Sequence, residues 1–165
     1  MVTDEKRREG LRARLAHGRE TFLEVVTALD EAALDRPVWA EGGTWTAREL
    51  IGHVAYAEAG MQPLIAGGVA GRAPVPPVDF DIDRYNEGNL RRARAQTIPE
   101  LLTRLDASRQ ETLRLLAPLT ASELNLPARH PVAGPTTIEG IFRIIAYHER
   151  LHAKDLRASL GEAGG

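Results

Sequence analysis

His148 and His152 stand four residues apart near the end of the chain, in a stretch reading HERLH, and His53 stands alone far upstream. Along a helix, four residues give about 40° of rotation and about 6 Å of rise, so two such imidazoles share a face and can converge on one ion. They also continue an apolar seam. Ile138, Ile141 and Ile145 recur at steps of three and four residues, and the same stripe runs on into His148, His152 and Asp155. His53 comes three residues after Leu50 and four before Ala57, on or beside a second apolar stripe. Three neutral imidazoles suit a borderline divalent ion such as Zn²⁺ or Ni²⁺, with a coordination position left for water or substrate. A single histidine on such a stripe is normally a core residue bonded to a carbonyl; an i, i+4 pair with a third at a matching position is better read as a metal site. His17, after the charged start of the first helix, and His130, in the ARHPVAGP loop, read as surface residues.

The same five residues match H-E-x-x-H, the zinc-peptidase helix, which would make Glu149 a general base. That pattern is short of its third ligand: position 158 is alanine and only thirteen residues follow His152. Nor does the chain show the mixed α/β pattern that would supply a peptide-holding edge strand. One residue along a helix turns about 100°, so Glu149 leaves the histidine face and reads as an outer-shell group or a solvent-facing one.

The elements that must position these residues are helices. Four times a threonine precedes a glutamate by three: Thr46/Glu49, Thr97/Glu100, Thr120/Glu123 and Thr136/Glu139. Each fits a capping box, in which hydroxyl and carboxylate satisfy backbone N–H groups left free at a helix start. Apolar residues between these marks recur every three or four positions and predict helices over about 4–29, 46–66, 98–117 and 136–160. Gly67-Gly68 should stop the second. The proline-rich GRAPVPPVD, Gly71 to Asp79, cannot be helical, and 81–95 suggests a short extra helix. The reading is an all-α four-helix bundle over residues 1–165, with a long crossover that frees it from simple up-down-up-down order.

A faint repeat accompanies this pattern. Leu29, Leu34 and Pro37 recur 90 residues on as Leu119, Leu124 and Pro127; Thr46, Tyr56 and Glu58 recur 91 on as Thr137, Tyr147 and Glu149. Each half would be helix, turn-rich link, capped helix, with a pseudo-twofold relation between the second and fourth helices.

Composition narrows the function. Lys+Arg 21 against Asp+Glu 23 leaves a formal charge of -2, which argues against nucleic-acid or anionic-lipid partners. Without any cysteine, disulfides, thiolate metal sites and cysteine nucleophiles are excluded. No apolar run approaches the roughly 18 residues of a membrane span, so the cytoplasm is the expected location. Near a substrate, Tyr56, Tyr85, Tyr147 and Asn86 are candidates. Arg84, Arg91, Arg92 and Arg94 can attract an anionic cofactor, but interleaved with Asp79, Asp81, Asp83 and Glu87 they read first as a solvated face. Trp45, just before the Thr46 cap, suits a hydrophobic staple, and Trp39 reads as packing.

Three stretches together resemble the DinB-like (DinB/YfiT) superfamily and its mycothiol- and bacillithiol-dependent relatives: TWTARELIGHV, the linker and helix DFDIDRYNEGNLRRARAQTIPELLTRLD, and IIAYHERLHAKDLR. The resemblance covers about residues 11 to 157 and implies a four-helix bundle with long crossovers, often dimeric, holding a divalent metal at the positions of His53, His148 and His152. It further implies a metal-dependent thiol S-transferase acting on a small molecule with a low-molecular-weight thiol of the mycothiol or bacillithiol type. The alternatives are a metal-dependent hydrolase and a noncatalytic metal-binding stress-response module.

Overall fold

A computed structural model describes residues 3–72, 76, 77 and 79–161. Four long helices dominate it: α1 (Asp4–Thr27), α3 (Ala47–Val69), α5 (Ile98–Leu116) and α7 (Ile138–Ser159). Shorter pieces connect them: α2 (Glu31–Leu34), β1 (Pro37–Ala40), β2 (Gly43–Thr46), α4 (Ile82–Arg94), α6 (Ala121–Leu124), β3 (Pro127–His130) and β4 (Gly134–Thr137). The bundle and the extra helix follow the sequence expectation; the two antiparallel hairpins β1–β2 and β3–β4 were not anticipated. The proline-rich crossover lies partly outside the described residues.

Three of the four expected capping boxes form, at Thr46/Glu49, Thr97/Glu100 and Thr120/Glu123. Thr136/Glu139 does not. Thr136 lies opposite Ala128 one residue before the end of β4, at the place Trp45 holds in β2, and Thr137, the strand's last residue and the repeat match of Thr46, caps α7 by accepting from the Gly140 amide. Glu139 instead pairs with Arg7 and Arg143. Helix α3 also outruns the expected Gly67-Gly68 stop and passes through Pro63, whose missing amide leaves the Ala59 carbonyl without its helical donor.

Helix direction follows from which ends share a core. The first half of α1 (Leu11, Leu15) packs with the first half of α7 (Ile138, Phe142) and the last part of α3 (Met61, Leu64). At the other end, Phe22 and Val26 meet Leu156, the start of α3 (Leu50, Ile51) and the start of α5 (Leu101). Hence α1 and α7 are parallel, α3 and α5 are parallel, and the two pairs oppose each other. The order is up-down-down-up, as the long crossover permits.

Between these two cores lies a buried quartet of charges. Arg19 donates through Nε to Glu149 (2.7 Å), through Nη2 to Glu58 (2.8 Å) and through Nη1 to the Leu105 carbonyl (3.0 Å). Arg109 donates through Nε to Glu58 (2.8 Å), through Nη2 to Glu149 (2.9 Å) and through Nη1 to the Leu15 carbonyl (2.6 Å). The partners exchange under the repeat: Arg19 and Leu15 map onto Arg109 and Leu105 at a shift of 90, and Glu58 maps onto Glu149 at 91. The connecting elements obey the same shifts, α2 and β1 matching α6 and β3, then β2 matching β4 after one extra turn residue. The repeat is therefore a property of the fold, with the charge quartet shared between its halves.

Close approach of α1 to α7 depends on Gly18, where an added Cβ would lie 2.6 Å from the Ala146 carbonyl oxygen and 3.2 Å from Glu149 Oε2. Backbone cannot yield as a side-chain tip can. Gly18→Ala is therefore expected to lower stability in urea unfolding by about 1–3 kcal/mol, despite a helix-propensity gain of up to ~1 kcal/mol. An unchanged or raised midpoint would contradict this packing.

Candidate metal centre

The β1–β2 hairpin turns through Glu41 and Gly42, with φ of 52° and 74°. Two left-handed residues in a two-residue loop make a turn that matches strand twist, and glycine adopts it freely, but glutamate is an uncommon occupant. The strain is local to a residue whose carboxylate reaches the histidines. Glu41 Oε1 lies 3.2 Å from His152 Nε2 and 3.9 Å from both His53 Nε2 and His148 Nε2.

Helices α3 and α7 supply the imidazoles. His148 Nε2 is 3.0 Å from His53 Nε2 and 3.0 Å from His152 Nε2, so three ring nitrogens from two distant segments meet at one point. With Glu41 Oε1, these four ligand atoms all lie within 4.8 Å of one another. His152 is fully buried and its Nδ1 faces Asp155 Oδ2 at 3.0 Å, an arrangement that orients the ring and leaves Nε2 for the centre. Trp45 packs its ring against His53 (centroids 4.9 Å apart), so it braces a histidine rather than acting only as a staple.

The electrostatics fit a cation. Burial, reinforced by the charge of His152, pushes His53 down to about 4, and burial first, then its histidine neighbours, holds His148 well below the usual imidazole range. Glu41 is held below the usual carboxylate range by its hydrogen bond with His152, against the opposing effect of burial. Neutral rings at His53 and His148 beside an ionised Glu41 are protonation states that suit a divalent ion. The N₃O donor set, intermediate between soft and hard, suits Zn²⁺ or Ni²⁺.

These shifts have a stability consequence for metal-free protein. A histidine depressed to about 4 when folded, against about 6.5 when unfolded, binds fewer protons in the native state, so its contribution is intact above pH 6.5 and lost as pH falls toward 4. For His53 the loss is about 3 kcal/mol over that window. Urea unfolding of chelator-treated protein at pH 7.5 and pH 4 is expected to show it, and a His53→Asn variant should show a shallower fall.

The centre opens into a cavity of about 690 Å³ with largely apolar walls. Tyr56, Tyr85, Tyr147 and Asn86 all line it. Tyr56 is buried and donates to Gln96 Oε1 at 2.9 Å, while Tyr147 is 55% exposed at the rim. Of the arginine cluster, Arg92 reaches this cavity. Arg94 pairs with Glu49 and Glu87, whereas Arg84 and Arg91 are exposed without ion pairs among the described residues.

Several residues depart from expectation. Glu149 is neither beside the three histidine ring nitrogens nor in solvent: it is 2% exposed, and both its oxygens accept from Arg19 and Arg109. The helical turn away from His148 directs it into the bundle centre, which removes the base that a peptidase reading requires. His130 is half-buried and lines the cavity, its Nδ1 accepting from the Val132 and Ala133 amides at 3.2 and 3.1 Å. Trp39 is 69% exposed, because β1 alternates and turns Val38 and Ala40 inward. His17 is exposed as expected. Glu41 was missed; the alternating VWA and TWT flanking Glu41-Gly42-Gly43 was the available hairpin signal.

A four-helix bundle whose histidines and a hairpin carboxylate gather at the end of an apolar cavity defines a class of candidate metalloprotein. The chain belongs to the DinB superfamily, whose sequence profile matches residues 14–156. No curated protein matches it in sequence. Among solved structures it is similar to YfiT from Bacillus subtilis, described as a probable metal-dependent hydrolase with an unusual four-helix bundle topology (19% identity, 99% of this chain and 92% of that one, TM-score 0.73). It is also similar to the mycothiol-dependent maleylpyruvate isomerase (18% identity, 88% of this chain, 60% of that one, TM-score 0.69). A third is the colibactin self-resistance protein ClbS, solved with a dsDNA (14% identity, 100% and 99%, TM-score 0.68). A protein of this fold can therefore engage nucleic acid, so the near-neutral charge does not settle that question here. No helix among the described residues is long and apolar enough to cross a membrane.

Proposed function

We propose that the chain is a divalent-metal enzyme in which His53, His148 and His152 hold the ion, and that it transfers a low-molecular-weight thiol to a small electrophile. The observation carrying this reading is the meeting of three Nε2 atoms, at 3.0 Å steps, at the end of a small-molecule-sized cavity. Zn²⁺ or Ni²⁺ supplies Lewis acidity that favours deprotonation of an incoming thiol near neutral pH. The chain has no cysteine of its own, so a thiol nucleophile has to arrive with the ligand. Glu41, ionised and 3.2 Å from His152 Nε2, is positioned to hold charge balance at the centre or to receive the thiol proton. Apolar walls around it exclude water from the nucleophile.

Hydrolysis is the second reading, favoured by Glu41, which is equally placed to take a proton from water, and by the description of YfiT. The two separate in one assay. Zn²⁺- or Ni²⁺-loaded protein is given 1-chloro-2,4-dinitrobenzene with mycothiol, bacillithiol or no thiol, and both thioether and dinitrophenol are followed. Thioether formation that needs a thiol, and disappears in His148→Ala but not His17→Ala, is the expected result. Dinitrophenol release without thiol would favour hydrolysis, and metal binding with neither product would leave a binding module.

A further inference from the structure

At a second place on the cavity wall, positive charge stands without a carboxylate partner among the described residues. Arg104 of α5 is half-buried, with its guanidinium carbon 4.2 Å from the centroid of the Tyr56 ring. Its Nε is buried with no hydrogen-bond partner, and no carboxylate among the described residues lies within ion-pair distance of it. The contrast with Arg19 and Arg109 is direct: the same residue type, on the same bundle, elsewhere finds two glutamates and a carbonyl. Arg92 of α4 lines the same cavity, steadied at 3.1 Å by Asn89 Oδ1, and it too has no carboxylate partner among the described residues.

A guanidinium partly withdrawn from water and left unpaired carries an uncompensated desolvation cost, which an anion offsets strongly because the fork geometry matches a carboxylate. Tyr56, beneath Arg104, follows His53 by three residues on α3, so the cationic wall and the histidine centre are separated by about one helical turn, ~5 Å along the axis. Leu64, Phe80, Ile144 and Leu151 make up much of the remaining wall.

We propose that Arg104, with the exposed Arg92 lining the same cavity, binds the carboxylate of an amphipathic small-molecule substrate, whose apolar body fills the cavity and whose reacting end is directed to the histidines. The substrate class is thus an apolar carboxylic acid. This assignment rests on the reading of the cavity as the reaction site.

The test is calorimetric titration of 4-phenylbutyrate and its neutral isostere 4-phenylbutyramide into metal-free and Zn²⁺-loaded protein. Metal-free wild type is expected to bind the acid at least tenfold more tightly than the amide. Arg104→Met, which keeps the packing stem over Tyr56, should reduce that preference to within twofold and leave amide affinity unchanged; Arg92→Gln should reduce it less. Arg104→Gln, checked by circular dichroism, gives a second reading should the methionine variant not fold. Equal affinities in wild type, binding of neither probe, or a preference surviving in both Arg104 variants would overturn the proposal. A preference confined to Zn²⁺-loaded protein would overturn it too, assigning the carboxylate to the metal. Acid preference in a protein that binds no Zn²⁺ would uphold this site while removing the metal reading.

Discussion

Glu149→Ala is expected to lower the unfolding free energy by roughly 3–5 kcal/mol, the range for removing one partner of a buried ion pair. The carboxylate is 2% exposed and accepts from both Arg19 and Arg109. Without it, two guanidiniums 7% and 8% exposed are left with Glu58 as their only buried carboxylate, Arg19 having besides it just the exposed Asp106 at 3.7 Å. The loss is a cost of stranded charge more than of a missing attraction, so a compensated change should be milder. Arg19→Met combined with Glu149→Met leaves Arg109 and Glu58 as a neutral pair and is expected to cost well under the sum of the two single replacements, a coupling above about 1 kcal/mol. Urea unfolding of the four proteins of that cycle checks it. Additive single effects would mean that the quartet does not act as a unit. Glu149→Gln should still bind metal, since Glu149 faces the bundle centre rather than the histidines; loss of metal from a folded Gln variant would contradict that placement.

Metal binding itself should collapse when any one imidazole is removed. His53→Ala, His148→Ala and His152→Ala are each expected to weaken Zn²⁺ affinity by more than 100-fold in a chelator competition titration at pH 7.5. Asp155→Asn, which disturbs only the group facing His152 Nδ1, is expected to fall in the 10–100-fold range typical of an outer-shell partner. His17→Ala should change nothing, its ring being exposed on α1. The order matters more than any one value. If Asp155→Asn matched the direct replacements, or if His53→Ala retained wild-type affinity, the three Nε2 atoms would not be acting as one ligand set. Protons compete weakly at that pH, because burial already holds His53 and His148 neutral.

The helices were legible because their signals are local. Three- and four-residue apolar spacing, with capping threonines at 46, 97 and 120, places helix starts within a residue or two of those observed. His148 and His152 were visible as a pair for the same reason: an i, i+4 relation needs only one helix to make it spatial. Thr136 misled because the chain stays in β4 for one residue more than the Thr136/Glu139 spacing suggests, so the cap falls on Thr137, the repeat match of Thr46. The repeat at shifts of 90 and 91 was present in the residues, yet its strongest members, Arg19 with Arg109 and Leu15 with Leu105, gain meaning only when four helices cross at one level.

What the residues alone determined, then, is an amphipathic helical chain without cysteine, bearing an imidazole pair on an inward stripe and a third imidazole on another. Tertiary structure decided which faces meet: that α1 runs with α7, that His53 arrives at His148, that a left-handed turn delivers Glu41, and that Glu149 enters the core while Arg104 has no counter-charge among the described residues. Helical periodicity specifies angle about a helix's own axis. The rotation and height of one helix against another come from packing and from the connections between them, where short-range patterns in the chain carry no such information.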